Sequence, residues 1–541
     1  MTCVRRVTSE CSTRAAAGRR GAVTIVDDPG ALGGHLEDAA HFPGGHAAGM
    51  AYPQTEADVA ELLRTCPRVL PIGAQSSLTG GATPFGEVLV STARMNRILH
   101  VGDGRATVEA GVTLAALEEM ARRAGPATYP PRPTFTGACA GGSVATNAAG
   151  AATFKYGSTR DWVEAITVVL ANGEVLDLQR GACVASEQGF VIHTGAGRIT
   201  VPVPTYHMPA VAKRSAGYFA QPGMDLIDLF IGSEGTLGVI TKVTFRLLSP
   251  PPAIALALVL SPSEAVGLQL VAELRHQSHE TWRTHDPNGI DICAIEHMDQ
   301  RSLTIVRDEG AADSLNITLP PSTDMALLVQ IELPPGTGAG IAYEQIASSP
   351  SPDSPDAPLV RFCRVVERYG LIDVTEFAAP GDERRAAELL AFREAVPTAV
   401  NNRVGAAKRA IDARIEKTAA DMIVPFEQLA AMLDVYRTGF ESRGLEYAVW
   451  GHISDGNVHP NVIPRSYEDV VAGKEAILEF GREVVRLAGC PLAEHGVGRN
   501  PVKQELLRQL YGVNGIEEMR RVKRALDPEG KLSPGVIFQH Q

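Results

Sequence analysis

No two of the eight cysteines, at 3, 11, 66, 139, 183, 293, 363 and 490, form a CxxC pair. That argues against a zinc knuckle or a locally ligated iron–sulfur cluster. It leaves scattered reduced thiols, which suit a cytoplasmic protein. No uninterrupted apolar run approaches ~18 residues, so no transmembrane helix is expected. Positive charge is also short. Fifty Lys and Arg stand against 62 Asp and Glu, a net charge of −12, which makes a poor surface for nucleic acid. The opening MTCVRRVTSECSTRAAAGRRG has the Arg bias of a transit peptide but no clear amphipathic apolar face, so a loose tail is expected. No internal repeat is visible. At 541 residues the chain exceeds one ordinary core and predicts two or more domains.

Glycine and proline are plentiful, at 53 and 36, and the glycines concentrate in three stretches. In the first, Thr55 caps a helix and Val69-Leu70 begins a short strand. The loop Gly73–Gly81 and the strand EVLVST follow. Small residues let backbone N–H groups crowd round an anion, although this loop matches neither GxxxxGK[ST] nor GxGxxG. The second stretch has Gly137, Gly141, Gly142, Gly150 and Gly157, then two strands joined at Asn172-Gly173. The third has Gly232, Gly235 and Gly238 before the strand VITKVTFRL. The prolines at 250–252 mark a domain boundary. Beyond them, strand-like and helix-like runs alternate. They predict an α+β domain with a largely antiparallel sheet and helices on one face. PSPDSPDAP, Pro350–Pro358, reads as a flexible loop.

GHISDGNVH places two histidines seven residues apart round an Asp-Gly pair. With Asp455-Gly456 at the centre of a two-residue hairpin turn, His452 falls opposite His459. Their Cβ atoms are then ~5 Å apart, with Asn457 on the same face. Two facing imidazoles suit a divalent metal. Glu494 in LAEHGVG offers an oxygen ligand, and alternation turns His495 away from the metal. His495 is then free to act as a base rather than a ligand, provided the adjacent loop bends it toward the substrate. Arg393 in AFREAVP can clamp a carboxylate with two bonds. Tyr218, in KRSAGYFA, is assigned to packing.

The motifs PIGAQSSLTGG, GGSVATNAAG, KYGSTRD, FIGSEGTLGVIT, GHISDGNVH, EHGVG and ALDPEGKLSPG stand in one order from about residue 50 to 538. In that order the chain resembles the type 4 FAD-linked oxidases and dehydrogenases of the vanillyl-alcohol-oxidase-like superfamily. That family includes D-lactate dehydrogenases, the glycolate oxidase catalytic subunit and D-2-hydroxyglutarate dehydrogenase. The resemblance implies an α+β fold: a two-subdomain FAD-binding domain at 45–249 and an α+β cap at 250–490. An N-terminal extension, 1–44, precedes them, and a C-terminal segment, 491–541, returns to the flavin. It implies that the loop of Ile72, Gly73, Ala74, Gln75, Ser76 and Ser77 holds the FAD pyrophosphate. Gly141, Gly142, Ser143, Thr146, Asn147 and Gly150 line the flavin, and Ile240 adds backbone contacts.

It further implies His452, His459 and Glu494 as ligands of zinc or manganese and His495 as catalytic base. Arg393, Lys417 and Asn457 then bind the substrate. Relatives often read GGGTS where this chain has Gly73–Ser77, and TIGGN where it has Cys139–Ser143. Covalent relatives attach FAD through a histidine in the first loop. Gln75 cannot form that bond, so the FAD is expected to be noncovalent. The resemblance implies FAD-dependent oxidation of a 2-hydroxy acid, D-configured, to a 2-oxo acid. Electrons pass to a quinone, cytochrome, electron-transfer flavoprotein or oxygen. The protein is expected to be cytoplasmic, or peripheral to a membrane through that acceptor. Two alternatives are a flavin-dependent alkylglycerone-phosphate synthase, whose relatives carry a histidine-rich run where this chain reads AEHGVG, and a non-catalytic subunit. The latter predicts neither flavin nor metal.

Overall fold

The computed structural model describes residues 8–17, 23–131 and 135–539. They divide into two compact units. The first takes the described residues of Met1–Gly150, Gly157–Ser249 and Cys490–Gln541; the second takes Ala151–Tyr156 and Pro250–Gly489. The short segment belongs to the second unit because Lys155 reaches Asp291 and Glu332 and the Tyr156 hydroxyl donates to Glu332.

In the first unit, strands Gly49–Ala51 and Val69–Ile72 flank Val88–Ser91 in a parallel sheet. The helix Glu56–Thr65 packs beside it. Thr55 accepts from the Asp58 N–H, and Asp58 returns the bond to the Thr55 backbone, so the first turn's orphan donors are satisfied. Its Val59, Ala60, Leu62 and Leu63 are buried with Val69, Val88 and Val90. Each of these valines and leucines contributes about 1.5–3 kcal/mol by leaving water. A five-stranded antiparallel sheet runs in the order Ile98–Gly102, Arg105–Glu109, Val239–Arg246, Val163–Val169, Val175–Gln179. The end of the chain returns to the first sheet, where the Ser533 N–H donates to Val69 O. That anchors the strand leading into the loop at Ile72.

The expected loose tail is corrected where it is described. Glu10–Ser12 pairs in parallel with Phe190–Thr194, and Arg14 bonds both Glu56 and Asp177. Those partners are too far along the chain for composition to reveal them. Positions 1–7 and 18–22 of the same stretch lie outside the described residues.

The second unit is built on an eight-stranded antiparallel sheet. Its order is Thr375–Ala378, Ala253–Ser261, Met325–Leu333, Ile292–Asp299, Tyr447–His452, Asn457–Val462, Thr418–Ala419, with Met422–Ile423 also on Asn457–Val462. An antiparallel sheet with helices on one face was expected; every residue of Ile292–Asp299, Tyr447–His452 and Asn457–Val462 is buried, so these strands have no wet face. The sign was present in AIALALVLS and ALLVQIEL, whose near-continuous apolar runs mark strands without a wet face. The long helix Glu383–Ala410 buries Leu389, Phe392, Val396, Val400 and Val404, and on the same side it buries Arg393. The expected flexible loop at Pro350–Pro358 ends where Pro358 takes the first turn of helix Pro358–Arg368.

His297, on Ile292–Asp299, is 1% exposed, and neither ring nitrogen meets a hydrogen-bond partner. Burial pushes its imidazole from 6.5 down to about 4. The unfolded chain therefore takes up a proton first as pH falls. Stability is full above pH 6.5 and is lost between 6.5 and about 4, a swing of about 3 kcal/mol. His297→Phe should remove that slope, which denaturant midpoints measured from pH 4.5 to 7.5 would detect. An unchanged slope would put the proton elsewhere.

Candidate active site

Every residue from Ile72 to Ser77 lines one cavity of about 290 Å³ in the first unit, together with Gly141, Gly142, Ser143, Thr146 and Ile240. The strand Val69–Ile72 ends there, and the short helix Ala140–Ala145 begins there. The residues suit a bound flavin. A Cβ on Gly142 would enter open space, and the buried Ser143 Oγ meets no protein partner. Gln75 lines the cavity while its side-chain amide is engaged within the unit. Its amide donates to His35 O and Ala82 O and its carbonyl meets the His35 ring, so it braces the loop.

Two expected flavin residues do not line this cavity. Asn147 sits at a φ of 48° and accepts from the Arg160 N–H at 2.9 Å, holding the chain after the helix; Gly150 lies beyond it. Glu234, Cys139 and Phe135 do line it, and sequence reasoning missed all three. Glu234 accepts from the backbone N–H groups of Val497 and Gly498, each at 2.8 Å. It thereby holds the loop just after His495. Burial pushes its carboxyl up to about 7 against those two bonds.

Glu494 and His495 line the same cavity. Glu494 Oε1 lies 2.7 Å from Lys213 Nζ, and both side chains are buried. Its Oε2 lies 3.8 Å from His495 Nε2. The Ser215 N–H donates to Leu492 O and Ala493 O, strapping the lysine's segment to the EHGVG loop. Lys213 was overlooked beside Tyr218, which is fully buried and bonds Thr236 through its hydroxyl.

The second unit holds the histidine pair. The rings of His452 and His459 converge, with centroids 5.5 Å apart and planes at 90°, but the expected register is wrong. His452 pairs with Asn457, and His459 pairs with Trp450. The connection is a four-residue turn rather than a two-residue one. Ile453–Asp455 form a 3₁₀ turn closed by Gly456 N–H to Ile453 O. The Ser454 hydroxyl oxygen accepts from Ile295 N–H and fastens the turn to the neighbouring strand. A shift of two keeps both histidines on one face because side chains alternate with period two. Gly456 has φ 85°, and a Cβ there would stand 2.2 Å from Val424 O. Gly456→Ala should cost about 2–3 kcal/mol or more, read as a lower unfolding midpoint. A neutral result would mean that the turn relaxes freely.

Each histidine has a carboxylate on its Nδ1 side. Glu296 Oε1 is 2.9 Å from His452 Nδ1, and Asp421 Oδ1 is 3.5 Å from His459 Nδ1. A carboxylate at Nδ1 favours the Nδ1–H tautomer and leaves Nε2 as the donor atom, the arrangement common round metal-binding histidines. Asn457 donates its amide to Asp421 and to Met422 O, so what it offers a substrate narrows to its carbonyl oxygen. Arg393 is 9% exposed. Its Nε bonds Glu296, and one terminal nitrogen bonds Glu394. With Nε engaged, a two-bond clamp on a substrate carboxylate would use the two terminal nitrogens, which carry four of the five guanidinium N–H groups. Lys417 is exposed, two residues past the buried Ile415. Glu296 carried a sequence sign in hindsight, an acid inside the apolar strand ICAIEHMD. Nothing local identified its partners.

A cradle of glycine-rich loops sharing its cavity with a histidine and a buried glutamate is the construction of a flavin-dependent oxidoreductase. Residues 47–179 match the family described as FAD binding domain. Residues 260–537 match FAD linked oxidases, C-terminal domain. The chain is 30% identical to D-2-hydroxyglutarate dehydrogenase of Xanthomonas citri pv. viticola over 87% of this chain and 84% of that one. It is 28% identical to D-lactate dehydrogenase of Anaerostipes hadrus over 89% and 87%. The structure of 4-ethylphenol oxidase from Gulosibacter chungangensis, in an isoeugenol complex, superimposes with a TM-score of 0.62 at 18% identity, covering 95% of this chain and 94% of that one; this shows the shared fold. The chain belongs to the vanillyl-alcohol-oxidase-like FAD-linked oxidase family and is an FAD-dependent oxidoreductase. Among the described residues no helix is long and apolar enough to cross a membrane.

Proposed function

We propose that the protein oxidises a D-2-hydroxy acid to the 2-oxo acid. The observation that supports the reading is that His495 and Glu494 line the same cavity as the glycine-rich loops, an imidazole and a carboxylate of the kind that proton abstraction needs. The two relatives, whose names specify D-configured 2-hydroxy acids, support the substrate class. Noncovalent FAD held by the glycine-rich loops would supply the hydride acceptor, and a divalent metal, zinc or manganese, would supply a Lewis acid for the 2-hydroxyl.

The chain's own part is to hold and to move a proton. His452, His459 and Glu494 are the proposed metal ligands: two neutral imidazoles and one carboxylate, a donor set that leaves positions open. Arg393 and Lys417 hold the substrate carboxylate, and Asn457 lends its carbonyl. His495 takes the hydroxyl proton as the C2–H bond breaks. The two electrons leave for an external acceptor, a quinone, cytochrome, electron-transfer flavoprotein or oxygen.

The test is anaerobic mixing of the FAD-containing protein with D- and L-lactate, D- and L-2-hydroxyglutarate and glycolate, following flavin absorbance. Bleaching by D-acids in preference to their L-enantiomers is expected. Bleaching by L-acids alone, or by none, would overturn the reading.

A further inference from the structure

Glu296 is a buried carboxylate that the proposed chemistry does not use, and it stands between two residues that it does use. The strand Ile292–Asp299 sets it directly across from His452. Its two oxygens divide their work. Oε1 lies 2.9 Å from His452 Nδ1, and Oε2 lies 3.0 Å from Arg393 Nε. All three side chains are nine-tenths or more buried, so water offers none of them a substitute partner. Arg393 reaches this point because it occupies the buried stripe of Glu383–Ala410 with Leu389 and Val396. A charged residue on that face must find its counter-charge inside the protein.

We propose that Glu296 is a positioning residue that sets, with one carboxylate, both the metal-facing nitrogen of His452 and the guanidinium plane of Arg393. This rests on the metal and substrate roles assigned above. An ionised carboxylate only accepts hydrogen bonds. It therefore requires a proton on His452 Nδ1, which leaves Nε2 with its lone pair. On the other side it takes the Arg393 Nε–H, while Glu394 takes one terminal nitrogen at 2.8 Å. The guanidinium plane is then held at two points, and the remaining terminal nitrogen has a defined direction.

The arrangement makes a distinctive demand on substitutions. In Glu296→Gln the amide has one acceptor and one donor end. If its oxygen faces Arg393, its NH₂ faces His452 Nδ1, and the histidine must move its proton to Nε2, closing the metal-facing atom. If its oxygen faces His452, its NH₂ confronts the Arg393 N–H and pushes the guanidinium aside. Neither orientation satisfies both partners. Glu296→Asp is the larger change in volume yet keeps two anionic acceptors.

The experiment uses FAD-containing protein stripped of metal and titrated with Zn²⁺ alone against a chromophoric chelator. Steady-state KM and kcat for D-lactate and D-2-hydroxyglutarate are measured on the metal-loaded forms. Glu296→Gln should weaken Zn²⁺ binding by about 10- to 100-fold, the usual effect of losing such a partner, and raise KM for both acids. Glu296→Asp should recover a substantial part of both. A residue that only filled space would show the reverse order, with Asp worse than Gln, and that order overturns the proposal. So do wild-type constants in Glu296→Gln, which leave the metal and substrate reading standing. Absence of Zn²⁺ binding by the wild-type protein overturns the metal reading and this inference together. Should Glu296→Gln fail to retain FAD, the comparison of Glu296→Asp with the wild type decides. Zn²⁺ affinity and KM there within about threefold of wild type support the charge role, and a Glu296→Asp form as impaired as one lacking the metal overturns it.

Discussion

Replacing His495 with Asn leaves FAD bound and slows anaerobic reduction of the flavin by about 10²–10⁴-fold, the range supplied by a positioned general base. The reasoning is geometric. His495 lines the cavity of the flavin loops, while the loop that carries it is held independently. The Glu234 carboxylate takes the Val497 and Gly498 N–H groups, and Lys213 pairs with Glu494. None of these contacts uses the imidazole of His495, so its replacement removes a proton acceptor without dismantling the loop. Asn is close to the size of the lost ring but has no basic nitrogen. The measurement is stopped-flow absorbance of the flavin with a saturating D-2-hydroxy acid, with flavin content checked in the same preparation. An undiminished rate would exclude His495 as the base.

The second large effect is expected on the metal. Dialysis against a chelator should abolish turnover, and Zn²⁺ or Mn²⁺ should restore it. His459→Ala should both lower bound metal and slow flavin reduction by at least about 10²-fold, because stabilising a developing alkoxide is worth several kcal/mol. His459 is the better choice of the two histidines. His452 is bonded to Glu296, and its removal would leave a buried carboxylate short of a partner, which carries its own destabilisation. His459 faces Asp421 at 3.5 Å, and Asp421 retains the Asn457 amide. Metal content by elemental analysis and turnover should fall together. Full activity in metal-free protein would remove the metal from the mechanism.

How much of this was legible in the chain differs by element. The loops that line the first unit's cavity were readable, since Ile72–Ser77 and Gly141–Ser143 are contiguous and rich in small side chains. Asn147 entered through the family motif; that its side chain accepts from the Arg160 N–H, thirteen residues on, was not legible there. The GHISDGNVH hairpin was half legible. Alternation put both histidines on one face, and a slip of two preserved that. The turn type depended on Ser454 finding Ile295 and on Gly456 lying against Val424, which local propensity does not encode. Arg393 was found as a residue, but the two acids that engage it, Glu296 and Glu394, were not apparent as partners from its own motif.

By itself the sequence determined the flavin-oxidase class, the positions of the glycine-rich cradle, and the candidates His452, His459, Glu494 and His495. These follow from short-range order: contiguous loops, a period of two along a strand, and motifs in a fixed succession. Only the tertiary structure decided which charge meets which. Glu296 lies between His452 and Arg393, Lys213 beside Glu494, and Glu234 under the loop that carries His495. Buried charges are held in place by partners of opposite charge or by hydrogen-bond donors. In each of these cases that partner is brought in from a distant part of the chain, so only the folded path of the backbone identifies it.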